Sequence, residues 1–350
     1  MRNTAIRFSL LTLLAVTISL ASANNSDAQK TNAPAKGGYH LVNKVPVGGE
    51  GGWDYIYVDS TARRLYVSRG TRVMVFDADS LKPVGEIADT AGVHGVAIAD
   101  DLGRGFTSNG RDASVTIFDS KTLKPVNKVK VGLNPDCIIY DQATHRVFAF
   151  NRAGSSFSAI DAKTGEVAPA VDLGGHPEFA AADGKGMVFV NLDNKSEIVA
   201  IDSKKLEVKA HWPVAPGEDP SGLALDRKHM RLFSVCGNKK MVVMDASTGK
   251  VVADLPIGAG VDAAGFDPET NLAFSSNGEG TLTVVHEDSA DKYSVVESVP
   301  TQRGARTMAL DPKTHNVFLV TAEFGPPPAD RPNARGAMVP NSFVILVFGK

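Results

Sequence analysis

Apolar residues along this chain come in short runs separated by turn residues, and the runs repeat. An aromatic side chain recurs at Tyr66, Phe106, Phe148, Phe189, Phe233, Phe274 and Phe318, at intervals of 40 to 44 residues. Each sits in a β-type run such as Arg64-Leu65-Tyr66-Val67, Arg146-Val147-Phe148-Ala149 or Asn316-Val317-Phe318-Leu319. A polar turn precedes it, as in Asp141-Gln142-Ala143-Thr144-His145. A second apolar run follows and closes on Asp, as in Val75-Phe76-Asp77 or Ala200-Ile201-Asp202. No segment keeps a helical period, so each unit reads as four short strands. A single four-stranded sheet cannot bury both faces, whereas sheets packed around an axis can. Seven units therefore predict an all-β, seven-bladed β-propeller over residues 38–350.

The pattern also predicts how the ring closes. The last unit ends in the run Ser342-Phe343-Val344-Ile345-Leu346-Val347-Phe348, a third strand with no fourth after it. Val42-Asn43-Lys44-Val45-Pro46-Val47-Gly48 closely matches Val126-Asn127-Lys128-Val129-Lys130-Val131-Gly132, the fourth strand of the second unit. The N-terminal strand is thus expected to complete the last blade, which removes two exposed edges at once.

Composition changes this picture mainly at the N-terminus. Arg2 and Arg7 precede an uncharged apolar stretch, Phe8 to Leu20, and Ala21-Ser22-Ala23 fits a small-x-small cleavage pattern. Residues 1–23 read as a signal peptide, too short in its apolar part to span a bilayer. Residues 24–37 read as a polar, flexible leader. Loss of the two arginines takes the formal net charge from −2 to −4. A periplasmic or secreted protein is expected, without a membrane span and monomeric. Its mild acidity disfavours nucleic acid as a partner.

The unit resembles the YVTN-repeat β-propellers, the YncE-like group of exported bacterial proteins, over about residues 39–350. The segment that carries the likeness appears in degenerate form as Tyr66-Val67-Ser68-Arg69, Phe106-Thr107-Ser108-Asn109, Phe148-Ala149-Phe150-Asn151 and Phe274-Ser275-Ser276-Asn277, with Leu192 in the Asn position of the fourth unit. The resemblance implies the fold strongly and the activity weakly, because propellers host unrelated functions. Members are variously suggested to bind nucleic acid or to assist envelope processes. Similar propellers carry lactonase, lyase or quinoprotein dehydrogenase activity.

Candidate chemistry follows from aligning the units on the aromatic. Twelve residues before it stand Asp54, His94, Asp136, Pro177, Ser221, Asp262 and Arg306, with Glu178 replacing Pro177 because the fourth unit has a shorter turn. Three residues after it stand Arg69, Asn109, Asn151, Leu192, Cys236, Asn277 and Thr321. Both sets are expected to converge on one mouth of the central channel, as a polar pocket for a small polar ligand or an envelope protein. Asp54, Arg69, His94, Asn109, Asp136, Asn151, Glu178, Cys236, Asp262, Asn277 and Arg306 are the proposed ligand-binding residues. Turn chemistry alone also explains residues such as Asp136 after Asn134-Pro135. A phosphate loop, a nucleophile elbow and calcium-loop spacing are all missing, so no catalytic residue, cofactor or metal is assigned. A binding or scaffold role is expected, with a channel-mouth lyase or lactonase as the alternative and single-stranded nucleic-acid binding as a third. Cys137 and Cys236, two units apart, are expected to remain free thiols. Residues 323–341, rich in proline, form the one large insertion and are expected on the mouth side.

Overall fold

The computed structural model describes residue 1, residues 37–330 and residues 336–350. The signal peptide and leader read from the sequence, and Arg331 and Arg335 of the insertion, lie outside the described residues. The described residues form seven antiparallel four-stranded sheets, the blades of an all-β propeller. The inner strands are Ile56–Asp59, Val93–Ala99, Pro135–Asp141, Pro177–Ala182, Pro220–Asp226, Val261–Asp267 and Thr307–Asp311, for blades 1 to 7. Each packs against the next, and the seventh packs against the first, so the ring is closed.

Closure falls to the strand His40–Pro46, which pairs antiparallel with Val344–Gly349 as the outermost strand of blade 7. Backbone amides of Val47 and Gly48 then both donate to the Phe343 carbonyl at 2.9 Å. The recurring aromatics are the centre of the packing: all seven are at most 1% exposed. Each apolar cluster mixes residues of neighbouring blades, for example Phe148 and Phe150 with Val188 and Val190. Truncating one such ring to Ala costs roughly 3–5 kcal/mol. Among the described residues no helix is long and apolar enough to cross a membrane.

One irregularity positions the site. In blades 2 to 6 the pairing of the inner strand with the second strand shifts register near its start, between Val93 and Val96, Pro135 and Ile138, Pro177 and Ala180, Pro220 and Leu223, and Val261 and Ala264. His94, Asp136, Glu178, Ser221 and Asp262 each lie in such a bulge. A bulge adds a residue to one strand and re-aims its side chains. Pro177 opposes Leu192 as Pro135 opposes Asn151, which puts Glu178 in register with Asp136.

Candidate functional site

The bulges leave backbone groups without ladder partners, and one position of the second strand serves them. Two residues after the aromatic, Ser108 accepts from the Gly95 amide at 2.9 Å and donates to the Asp136 carbonyl at 2.5 Å, one blade on. Asn191 donates in the same way to the Ser221 carbonyl at 2.8 Å, and Ser276 to that of Arg306. The mouth residues of blades 3, 5 and 7 are thus held by the blade before them.

The first ring converges as expected. His94 Nδ1 lies 2.5 Å from Asp54 Oδ2 and 3.4 Å from Asp136 Oδ1, so blades 1, 2 and 3 meet in one cluster. Gly110 leaves room for it, since a Cβ there would stand 2.6 Å from His94 Nε2. Asp262 accepts from Thr307 Oγ1 at 3.1 Å and faces Arg306 Nε at 3.6 Å. Glu178 pairs with Arg152, whose Nη2 donates to Asp193 at 2.5 Å. Beneath this polar ring Tyr55 and Phe179 meet across the channel, their centroids 4.5 Å apart. The Tyr55 hydroxyl is buried and has no hydrogen-bond partner among the described residues.

Burial at the mouth is deep enough to change the chemistry. The Asp136 side chain is 8% exposed, and its Oδ1 accepts no hydrogen bond. Burial pushes its carboxyl up to about 6, and the charges of Asp54 and Asp262 add to the rise while His94 and Arg152 oppose it. Asp262 rises to about 6 through burial and Asp54, against Arg306. Glu178 rises to about 8 through burial and Asp136, against Arg152. Burial lowers His94, but the hydrogen bond to Asp54 and the charges of Asp136 and Asp54 outweigh it and hold the imidazole above its ordinary value. The cause throughout is the cost of taking charge out of water, compounded by like charges across one small volume.

The second ring does not line the mouth, which corrects the expectation for five residues. Asn109, Asn151, Asn277 and Cys236 are fully buried and Arg69 is 1% exposed. Successive side chains of a strand point to opposite faces, and this position faces the interior between blades. Asn109 donates to Ser114 and Thr116, Asn151 to Ser156 and Ser158, and Asn277 to Thr281 and Thr283. These amides clamp the second strand to the third. Arg69 stacks over the Phe343 ring at 3.9 Å and donates to the carbonyls of Gly48 and Glu50, fastening the segment that follows the closing strand. Cys236 and Cys137 are both free and buried.

The residues missed at the mouth had a signal of their own. Four residues after the aromatic stand Gly70, Gly110, Arg152, Asp193, Gly237, Gly278 and Ala322. Small residues serve the turn in five blades, and the two exceptions are Arg152 and Asp193, an ion pair in which Arg152 also holds Glu178. The described residues at the two ends of the insertion form a short ribbon, with Gly325 donating to Ala337 and Val339 to Glu323. Phe324 and Met338 of that ribbon join Trp53 in lining a cavity of about 320 Å³ next to Asp54. The insertion therefore lies on the mouth side.

The groups can bind a cation through several carboxylates, bind a zwitterion with Arg306 or Arg152 as the second partner, or move a proton through the Asp54–His94 pair. No family model and no curated protein matches the chain. Solved structures do. The structure of U3-55K is 8% identical with a TM-score of 0.70, covering 89% of this chain and 99% of its own. The RRP9 WD40 repeats are 9% identical with a TM-score of 0.73, covering 91% and 99%. A chain of the mitotic checkpoint complex is 13% identical with a TM-score of 0.72, covering 97% and 99%. At such identities the likeness is one of fold, and this chain is a seven-bladed β-propeller.

Proposed function

We propose that this chain is an exported binding protein of the YncE-like, YVTN-repeat kind, which takes a small cationic or zwitterionic ligand at the mouth of its channel. The observation that carries the reading is a ring of four carboxylates in which Asp136 is buried and incompletely satisfied. Asp54, Asp136, Glu178 and Asp262 come from four blades, and Asp136 keeps an acceptor oxygen without a donor. An uncompensated buried carboxylate is costly, and a cation removes that cost. Arg152 and Arg306, at the rim, suit a ligand that also carries a negative group. Tyr55 and Phe179 add an aromatic contact beside the ring. Export rests on the sequence of residues 1–23. An acidic mouth repels phosphates and weighs against single-stranded nucleic acid.

Native mass spectrometry of protein isolated under mild conditions tests the reading. A small bound mass is expected in the wild type and absent from the Asp136→Asn/Asp262→Asn protein. Equal occupancy of the two proteins would move the site elsewhere. One observation favours a second reading, a lyase-type enzyme: the Asp54–His94 pair has the geometry of an oriented acid–base group. Recovery of the bound molecule chemically changed would support the enzyme, and recovery unchanged the binding protein.

A further inference from the structure

The face opposite the mouth carries the turns between the inner and second strands. Five inner strands end there on a buried aspartate, Asp59, Asp141, Asp226, Asp267 and Asp311, and each accepts backbone amides of its own turn. At three of them a donor also arrives from the next blade. Ser203 reaches Asp141 at 2.7 Å, His315 Nδ1 lies 2.7 Å from Asp267, and Ser60 and Arg63 reach Asp311 at 2.6 and 2.7 Å. Asp59 has Asp100 beside it, but Asp100 is open to water.

At Asp226 the next blade supplies an acid. Glu287, on the third strand of blade 6, is 1% exposed at its side chain, and its Oε2 has no hydrogen-bond partner among the described residues. His229 Nδ1 stands between the two acids, 2.8 Å from Asp226 Oδ2 and 3.3 Å from Glu287 Oε1, yet donates to neither in hydrogen-bond geometry. Arg231 packs alongside, but its donors are spent on the carbonyls of His229, Met230 and Ala290 and on Asp245 and Asp291. Two buried carboxylates therefore share a site that its neighbours leave short of positive charge.

We propose that Asp226, His229 and Glu287 hold a divalent transition-metal ion of the zinc or manganese class, which ties blade 5 to blade 6. One ligand atom from each residue lies within 4.8 Å of the others. Donors around such an ion at about 2.0–2.2 Å stand roughly 3–3.5 Å apart, close to the 2.8 and 3.3 Å that separate His229 Nδ1 from the two acids. Two carboxylates with one imidazole suit these ions better than a thiolate-seeking one. The His229 side chain is 29% exposed, which leaves a path for the ion and room for water to complete its shell. Blade 5 meets blade 6 here as other blades meet through Ser203 or His315, with the ion in the donor's place. The site is independent of the mouth.

Metal retention after chelation, reloading with Mn²⁺ or Zn²⁺ and desalting tests it, read by plasma mass spectrometry. The full chain and its Asp54→Asn/Asp136→Asn form are compared, because the mouth cluster also holds two acids and a histidine. The mouth variant is expected to retain one equivalent. Adding Glu287→Gln or His229→Gln should lower retention at least tenfold. Metal-free Glu287→Gln protein should melt at or above the metal-free wild type, because one of two facing acids is gone, while the rise in Tm on adding metal disappears. Failure of the mouth variant to retain metal, or retention unaffected by both substitutions, overturns the proposal.

Discussion

The two faces of the disc use the same residue types to opposite ends. On the turn side, carboxylates such as Asp141 and Asp311 are fully buried but surrounded by donors: backbone amides, threonine hydroxyls and a group from the adjacent blade. At the mouth Asp136 is nearly as buried and Glu178 and Asp262 are half-buried, with fewer donors and with one another's charges for company. Burial penalises both sets. Around Asp311 hydrogen bonds offset the penalty, and its carboxyl ends below the usual range although burial pushes it up, whereas the Asp226–Glu287 pair is the exception on this face. At the mouth they do not repay it, and the carboxyls end high. Position in the fold, not residue type, separates a structural carboxylate from a ligand-seeking one.

The largest expected effect sharpens this contrast. Asp141→Ala should lower stability by about 2–3 kcal/mol, because it strands the buried Ser203 hydroxyl and the part-buried Ala143 amide and Thr144 hydroxyl. Asp136→Asn/Asp262→Asn should cost under about 1 kcal/mol at pH 8 or stabilise, since it deletes buried charge. Chemical denaturation of the two proteins checks both, and a similar loss in each would erase the distinction between the faces.

A smaller effect is the pH dependence. Where the folded state holds a proton that the unfolded state has released, stability falls as pH rises. The mouth carboxyls, at about 6 and 8 against ordinary values near 4, should lower Tm progressively between pH 4 and 8. Asp311 acts with the opposite sign: its stabilising contribution is present above its unfolded value and is lost as pH falls below about 4. The wild type should thus be most stable in mildly acid solution, and the Asp136→Asn/Asp262→Asn/Glu178→Gln protein should show a flatter Tm between pH 5 and 8. An unchanged profile in that variant would assign the dependence to other groups. Affinity for a cationic ligand runs the other way and should strengthen over the same range, as the ring ionises.

The smallest effect concerns the thiols. Burial raises Cys236 to about 11 and Cys137 further, so neither is a ready nucleophile. Both should resist alkylation in the native protein and titrate fully once denatured. Rapid native labelling of Cys236 would restore it to the mouth.

Local pattern determined a large part of this molecule. The recurring aromatic, the turn before it and the strand after it specify a blade, because burial of a ring and capping by a nearby Asp are satisfied within a few residues. The match between residues 42–48 and 126–132 likewise identifies the segment that pairs with Val344–Gly349. The same alignment finds the inner ring, including the shift to Glu178, since blades 2 to 6 repeat the same bulge. Neighbours from distant blades lay beyond that pattern. A count of three residues past the aromatic cannot say which way the side chain points, and strand parity turned Asn109, Asn151 and Asn277 into clamps. The bracketing of Arg152 by Glu178 and Asp193, the meeting of Tyr55 with Phe179, and the confrontation of Asp226 with Glu287 all join residues from different blades. Such pairs exist only because the ring closes, and whether a buried charge finds a donor there depends on the blade next to it.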